Sequence, residues 1–334
     1  MNMVSAHNFK SVTYRAVGMR HIEKNKPCED NVFCYSSKEG VLCAALSDGA
    51  GSYKYAAIGS DIAARTSATF LAEKFERLYG LDNGTIAEYV QHEVLRPIEE
   101  LASKEKEDVI QYSATLLCVA LHPDGRYIIL HVGDGAIVGL NLQNKTEVIS
   151  LYEHTGPANQ TSFITDSFLE AFVKKGNGEY ASFIMMSDGP EDFLVSEVGA
   201  NPRVRLIQQL AFFLDEDSMH QQLESLLKLL TDHGMDDDAS FAIVCDMREF
   251  STVLLSVSPE FRKMMFSIEN DFSKAKKKRL KQILNVISDS PTGVTLHELT
   301  QRIYSHSKTI TKRKIDFLCS MNIIKQENGR FFIS

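Results

Sequence analysis

No apolar run in the 334 residues approaches the roughly 18 residues that a membrane span requires. The N-terminal stretch MNMVSAHNFK lacks the apolar segment of a secretory signal. These two absences predict a cytoplasmic protein with no membrane partner. Cysteine is scarce as well. The six cysteines, at 28, 34, 43, 118, 245 and 319, form no CxxC pair. That excludes a zinc ribbon and a disulfide scaffold and favours a reducing compartment. Cys43, Cys118 and Cys245 lie in apolar runs and read as small core residues. None of the six opens a His-Cys-x5-Arg loop, so a covalent phosphocysteine route has no basis. There is no internal repeat, and the only low-complexity stretch is the basic run Lys276–Arg279.

What is present is the composition of a folded, soluble protein, 44% hydrophobic and 24% charged. The length predicts about two domains. Charge divides along the chain. Residues 251–334 hold 15 Lys and Arg against 7 Asp and Glu, a net of +8, which leaves 21 against 37 in residues 1–250, a net of -16. An acidic body can concentrate cations and repels nucleic acid. A basic tail domain suggests a different partner.

Residues 41–47, 114–121, 127–133, 181–187 and 239–245 are short, nearly continuous apolar runs, and so predict strands covered on both faces. Helical patterns occupy 54–79, 84–105, 201–214 and 218–231. In the first, Ile58, Ile62, Ala63, Phe70, Leu71 and Phe75 recur near helical spacing. Residues 111–150 hold strand after strand with little helix, which argues for packed sheets with helices outside. Residues 151–180 are polar and glycine-bearing and read as a long surface insertion, a flap beside the site. After a connector at 251–273, residues 274–289, 295–304 and 308–321 each predict a short amphipathic helix, with Ile310, Ile315, Leu318 and Met321 as the buried stripe of the third. Asn328-Gly329 signals a hairpin turn. Three helices and a hairpin make a winged helix-turn-helix pattern over 274–334.

The chemistry lies in acidic residues at strand ends. Asp48 stands in LSDGAGS, Asp134 in HVGDGA, Asp188 in MMSDGPEDF, and Asp236, Asp237 and Asp238 in GMDDDASF; Glu29 and Asp30 precede NVFCY. A single Asp-Gly is ordinarily a turn. Three Asp-Gly pairs at strand ends, with an Asp run at a strand start, exceed what turns require. Carboxylates without associated cysteine suit Mg2+ or Mn2+ rather than Zn2+. Such a cluster can hold two ions about 3.5–4 Å apart and direct a water at a phosphoryl group.

In these motifs (PCEDN, SDGAGS, SATLL, VGDG, MSDGPED and DDDAS, in that order) the chain resembles the metal-dependent protein phosphatases, the type 2C serine/threonine phosphatases, over about residues 8–247. The variant SDGAGSxxYA with GPANQTSFIT looks like a bacterial branch. The resemblance implies an α+β fold, a four-layer α-β-β-α sandwich of two antiparallel sheets flanked by helices, followed here by the small winged-helix-like domain. It implies domains at 1–250 and 274–334. It implies hydrolysis of phosphoserine and phosphothreonine by water activated at two Mg2+ or Mn2+ ions. Asp48 would bridge the ions, the Gly49 carbonyl would complete one site, and Asp188 and Asp237 would hold the second. Asp237 is preferred within its run because the family's Asp precedes a polar residue, a small residue and Ser or Thr, here Asp238, Ala239 and Ser240. Asp30, with Glu29, would contact metal-bound water, and Asp134, Asp192 and Asp188 could hold a weaker third ion.

Two positions depart from the family's pattern. Many relatives carry a phosphate-binding Arg five residues before the first Asp, where this chain has Asn25; Lys24, Lys26, Arg20 and His21 are the nearby substitutes. Many also carry a His two residues after the first-site Asp, where this chain has Ala50. His21 is then either the leaving-group acid or an ordinary surface histidine. The implied partners are a phosphorylated protein, an opposing serine/threonine kinase, and either DNA or a docking protein met by Lys312, Arg313, Lys314 and Arg330. Two other classes stay open: a DNA-binding regulator with the phosphatase body as sensor, and an adaptor with a degenerate body.

Overall fold

The structure, a computed structural model, describes residues 5–6, 8–151, 161–266, 274–303, 307–320 and 323–333. Chain connectivity divides it into two units. Residues 1–141 and 145–245 form the first, residues 142–144 and 246–334 the second.

The first unit contains strands β1 (Ser5–Ala6), β2 (Phe9–Ala16), β3 (Asp30–Ser36), β4 (Leu42–Asp48), β5 (Leu116–Leu121), β6 (Arg126–Val132), β7 (Ala136–Asn141) and β8 (Thr146–Leu151). These are followed by β9 (Phe172–Asn177), β10 (Tyr180–Met186), β11 (Val195–Ser196), β12 (Gly199–Ala200) and β13 (Ala239–Asp246). One sheet runs β1-β2-β13-β10-β7-β8, the other β3-β4-β5-β6-β9, and β11 and β12 form a separate hairpin. The second sheet is antiparallel at every pairing, as are the β13-β10-β7-β8 pairings of the first.

Alternate residues of β4 and β5 serve two cores. Leu42, Ala44, Leu46, Leu117 and Val119 pack with Phe183, Met185, Ala242 and Val244 between the sheets. Cys43, Ala45, Cys118 and Ala120 face outward to helices. Burial on both faces is why these strands lack polar alternation. Cys43, Cys118 and Cys245 are buried, as their apolar settings predict.

The helices are α1 (Met19–Glu23), α2 (Ala56–Glu73), α3 (Phe75–Tyr79), α4 (Asn83–Glu105), α5 (Asp188–Leu194), α6 (Pro202–Phe213) and α7 (Glu216–Asp232). Asp82, Asn201 and Asp215 cap α4, α6 and α7 with side-chain acceptors. The long helix α2 buries Gly59, Ala63, Ala64, Ser67, Ala68 and Leu71, while Ile58 is 43% exposed. The expected stripe therefore holds at Ala63, Leu71 and Phe75, with Ile62 and Phe70 packed against the same core, and fails at Ile58. The small face is selected because the helix lies close: a Cβ on Gly59 would stand 2.0 Å from the Tyr112 carbonyl oxygen.

The expected flap at 151–180 is corrected in part. Residues 172–177 are β9, paired along its length with β6 from Arg126↔Asn177 to His131↔Phe172. Lys174 to Asn177 thus belong to a sheet edge, not a flexible loop, because β6 needs a partner on that side. Residues 152–160, including the start of GPANQTSFIT, lie outside the described residues.

In the second unit, residues read from sequence as connector form α8 (Phe250–Ser256) and α9 (Pro259–Phe266). Then come α10 (Lys274–Ser288), β14 (Val294–Thr295), α11 (Leu296–Arg302), α12 (Lys308–Ser320), β15 (Ile324–Glu327) and β16 (Arg330–Ile333). The strands form the sheet β14-β16-β15. Asn328 and Gly329, with φ of 49° and 76°, make the two-residue turn between Glu327 and Arg330. Thr295 and Glu298 close a capping box at α11. On α12, Thr311, Ile315 and Leu318 are buried and Ile310 is exposed, so the buried stripe starts one residue later than expected; Met321 lies outside the described residues. No helix among the described residues is long and apolar enough to cross a membrane.

Candidate active site

Register brings the acidic residues to one end of the sandwich. Asp30, first in β3, pairs directly with Asp48, last in β4. At the same end, Met186 of β10 pairs with Ala136 of β7 and Phe241 of β13. The residues just beyond these strand ends are Asp188, Asp134 and the run Asp236 to Asp238. The Ser187 N–H donates to the Ser240 carbonyl at 3.2 Å and the Ser240 N–H to Ser187 Oγ at 3.0 Å, joining the two ends. Asp134 stands between Gly133 and Gly135, at φ of 86° and 93°, a conformation open to glycine.

The electrostatics show how close these groups are. Asp188 is pushed up to about 8, first by burial and then by Asp134, Asp30 and Asp237. Asp48 is raised well above the carboxylate range by burial, then by Asp30, Asp188 and Asp134. Asp30, 1% exposed, is raised to about 6 by burial. The Ser187 and Ser240 hydroxyls lie beside it, but neither carboxylate oxygen of Asp30 is met with hydrogen-bond geometry. A buried carboxylate with no donor is costly unless a cation completes it. The donors are oxygen only, which fits a hard divalent ion. Among the described residues no three His, Cys, Asp or Glu side chains already surround one point; Mg2+ keeps most of its waters and needs only one or two carboxylates.

The three consecutive aspartates have three different surroundings. Asp236 accepts from Arg20 Nε at 2.8 Å. Asp237 accepts from Arg20 Nη1 at 3.2 Å and acts on Asp188. Asp238, 3% exposed, accepts from the Gly18 N–H at 2.7 Å and the Glu29 N–H at 2.6 Å, and meets His21 Nδ1 at 2.9 Å. Its charge is fully used in fastening residues 18–29 to the start of β13.

Of the other sequence-derived residues, Gly49 donates its N–H to the Glu29 carbonyl at 3.2 Å. Glu29 is buried, with Oε2 3.5 Å from His21 Nε2. His21 is only 13% exposed and lies between Glu29 and Asp238, which overturns the surface-histidine reading. Asp192 lies on the exposed side of α5. Its neighbour Glu191, which sequence reading passed over, is raised to about 7 by burial, then by Asp192 and Asp134. His131 was also missed. It is buried, with Nδ1 2.7 Å from Ser150 Oγ, and Nε2 donates to the Asp134 carbonyl at 3.1 Å, so it braces the Asp134 turn. Burial lowers it to about 4 and keeps it neutral. No local signal separates such a histidine from any other strand residue.

In the second unit, Lys312 and Arg313 are exposed and Lys314 is half-buried. Burial, then Arg279 and Lys276, lowers Lys314; Lys276 Nζ stands 4.2 Å over the Phe317 ring. Arg330 has partners within its own unit. Its Nη1 donates to the Gly293 carbonyl at 2.8 Å and lies 3.6 Å from Glu298 Oε2, so it fastens the β14–α11 corner.

The chain belongs to the protein phosphatase 2C family, whose model matches residues 17–228. It is a metal-dependent protein serine/threonine phosphatase, a hydrolase. Among solved structures it is similar to a bacterial serine phosphatase at 17% identity, over 71% of this chain and 97% of that one, with a TM-score of 0.50. It is likewise similar to PppA of Pseudomonas aeruginosa, described as a key regulatory component of the T6SS, at 18% identity over 73% and 99% with a TM-score of 0.50. At these identities the likeness bears on the fold. No curated protein matches the chain.

Proposed function

We propose that the carboxylates at the sandwich edge hold two Mg2+ or Mn2+ ions and hydrolyse phosphoserine and phosphothreonine in a protein substrate. Asp48, the Gly49 carbonyl, Asp188 and Asp237 are the groups that would hold the ions. Asp134 and Asp192, with Asp188, offer a weaker third position. When bound, the ions lower the pKa of the attacking water and neutralise the phosphoryl oxygens. Asp30, buried behind Asp48, accepts a hydrogen bond from the attacking water and aims it, with Glu29 beside it. Asp238 and His21 hold the loop that carries Glu29 and Asp30. His21 is a positioning residue, since both ring nitrogens already face carboxylates. With Ala50 at the usual histidine position, the departing oxygen takes its proton from water.

The observation that carries this reading is Asp30, whose two buried oxygens are not met with hydrogen-bond geometry although the Ser187 and Ser240 hydroxyls lie beside it. The test is hydrolysis of p-nitrophenyl phosphate by the full chain with Mn2+ and after exhaustive chelation. Turnover restored only by Mn2+ or Mg2+, and indifferent to okadaic acid, supports it. Full activity after chelation overturns it, and no activity with either ion favours the adaptor or sensor reading.

The second unit has the helix and strand order of a winged helix, and we read residues 274–334 as a docking module. The basic residues Lys276, Arg279, Lys312, Arg313 and Lys314 suit an anionic partner. An acidic protein surface, on the substrate or the opposing kinase, is preferred over DNA because the first 250 residues carry a net charge of -16. Titration of the full chain with specific and random duplexes over a salt series distinguishes them. Sequence-selective binding lost in Lys312→Glu with Arg313→Glu would establish the DNA reading.

A further inference from the structure

The usual phosphate-binding position holds Asn25, which sits at φ 52° in a left-handed turn and carries no charge. A substrate phosphoryl group would then meet a rim of carboxylates with no fixed cation at that place. A guanidinium lies on the segment just before Asn25. Arg20, on α1, donates its backbone N–H to the Asp236 carbonyl at 3.0 Å. Its Nε bonds Asp236 Oδ2 at 2.8 Å and its Nη1 bonds Asp237 Oδ2 at 3.2 Å, while the side chain stays 57% exposed. Asp188 is also within its electrostatic reach.

The base of this side chain is held firmly. A Cβ on Gly18 would stand 2.2 Å from the Asp237 carbonyl carbon, so the start of α1 is pressed onto the acidic run. Asp238 fastens Gly18, His21 and Glu29 from below. A fixed backbone with an exposed, oriented head is preorganised for a ligand.

We propose that Arg20 receives the phosphoryl group of the substrate and that Asp236 positions it to do so. This rests on the phosphatase reading above. Asp236 holds Nε, which leaves Nη1 facing Asp237. That carboxylate is a placeholder. With that charge balanced by a divalent ion, the planar fork would be free to meet the phosphoryl oxygens, for which its donor spacing is suited. Lys26 is the competing cation. Its Nζ lies 3.4 Å from both Glu29 Oε1 and the Gly51 carbonyl, but an ammonium offers a point charge without the fork.

The test uses the full-length Mn2+-loaded protein, with inorganic phosphate as a calorimetric probe and p-nitrophenyl phosphate as substrate. Arg20→Ala is expected to weaken phosphate binding and raise KM about tenfold or more, with a smaller change in kcat. Arg20→Lys recovers part of the loss, and Asp236→Asn moves KM the same way by less. Mn2+ affinity of Arg20→Ala, measured separately, stays equal or tightens, because a cation competing for Asp237 is gone; a merely structural role would weaken it. Unchanged phosphate affinity in Arg20→Ala, or the whole KM effect appearing in Lys26→Ala instead, overturns the assignment. If Arg20→Ala does not fold, the lysine and Asp236→Asn variants decide it by the same readouts. A wild-type protein that binds phosphate through Arg20 yet hydrolyses nothing would sink the phosphatase reading and keep this one. Hydrolysis indifferent to Arg20 would do the reverse.

Discussion

Two sets of carboxylates in this protein have opposite surroundings. At the helix N-termini, Asp82 accepts from the Thr85 hydroxyl and N–H, and Asp215 accepts from the Ser218 N–H; both are held below the usual carboxylate range by those donors. At the sandwich edge, Asp48 and Asp188 are driven far up by burial and then by neighbouring aspartates, and Asp30 is raised by burial. The first set is completed by the chain. The second is left short of positive charge, and Asp238, with three donors of its own, shows that the chain can supply partners when an aspartate is structural. The difference teaches that local donors, rather than acidic character, separate a structural carboxylate from one awaiting a ligand.

Removing a charge from the deficient set sharpens the contrast most. Asp48→Asn or Asp237→Asn is expected to reduce Mn2+-dependent turnover of p-nitrophenyl phosphate by about a thousandfold or more, with an unchanged circular dichroism spectrum. Asp236→Asn should cost far less, and an essential Asp236 beside a dispensable Asp237 would show the register to be misread. Asp238→Ala attacks the same run from its structural side. It leaves two N–H groups and His21 without a partner, and urea unfolding should show a loss of roughly 3 kcal/mol.

The pH dependence of the metal-free protein is next. Folded values of about 6, 7 and 8 for Asp30, Glu191 and Asp188 lie above those of an unfolded chain, near 4. The native state therefore holds more protons between pH 4 and 8. Their contribution is present at low pH and is lost as pH rises through 6 to 8. Thermal melts in EDTA should give a higher Tm at pH 6 than at pH 8. Mn2+ or Asp188→Asn should reduce that difference. His131, lowered to about 4, acts with the opposite sign, its contribution being lost as pH falls from about 6.5 towards 4. The smallest effect belongs to the completed set: Asp82→Ala should lower Tm by about a few degrees and leave kcat/KM unchanged.

How far the sequence could be read varied with the range of the interaction. Strands β4, β5, β6, β10 and β13 were legible because two-faced burial writes itself into consecutive apolar residues. The Asn328-Gly329 turn was legible because its backbone requirement is met within two residues. On α2 only Ile58 was misjudged, because a helix pressed onto Tyr112 at Gly59 takes small residues on that side. β9 was missed because its residues, polar and glycine-bearing, take their strand character from pairing with β6. The hairpin pattern did not reveal that Arg330 bonds the Gly293 carbonyl across the sheet.

By itself, then, the sequence determined the family, the order of the acidic motifs and the two-faced strands, since each is encoded within a few neighbouring residues. Only the tertiary structure decided which aspartate of Asp236, Asp237 and Asp238 anchors a loop, which meets Arg20 and which acts on Asp188. Those assignments depend on strand register and on a loop more than 200 residues away in the chain, as in the Gly18–Asp238 bond. The physical reason is that a carboxylate's role is set by the donors and charges around it, and folding brings most of those from distant parts of the chain.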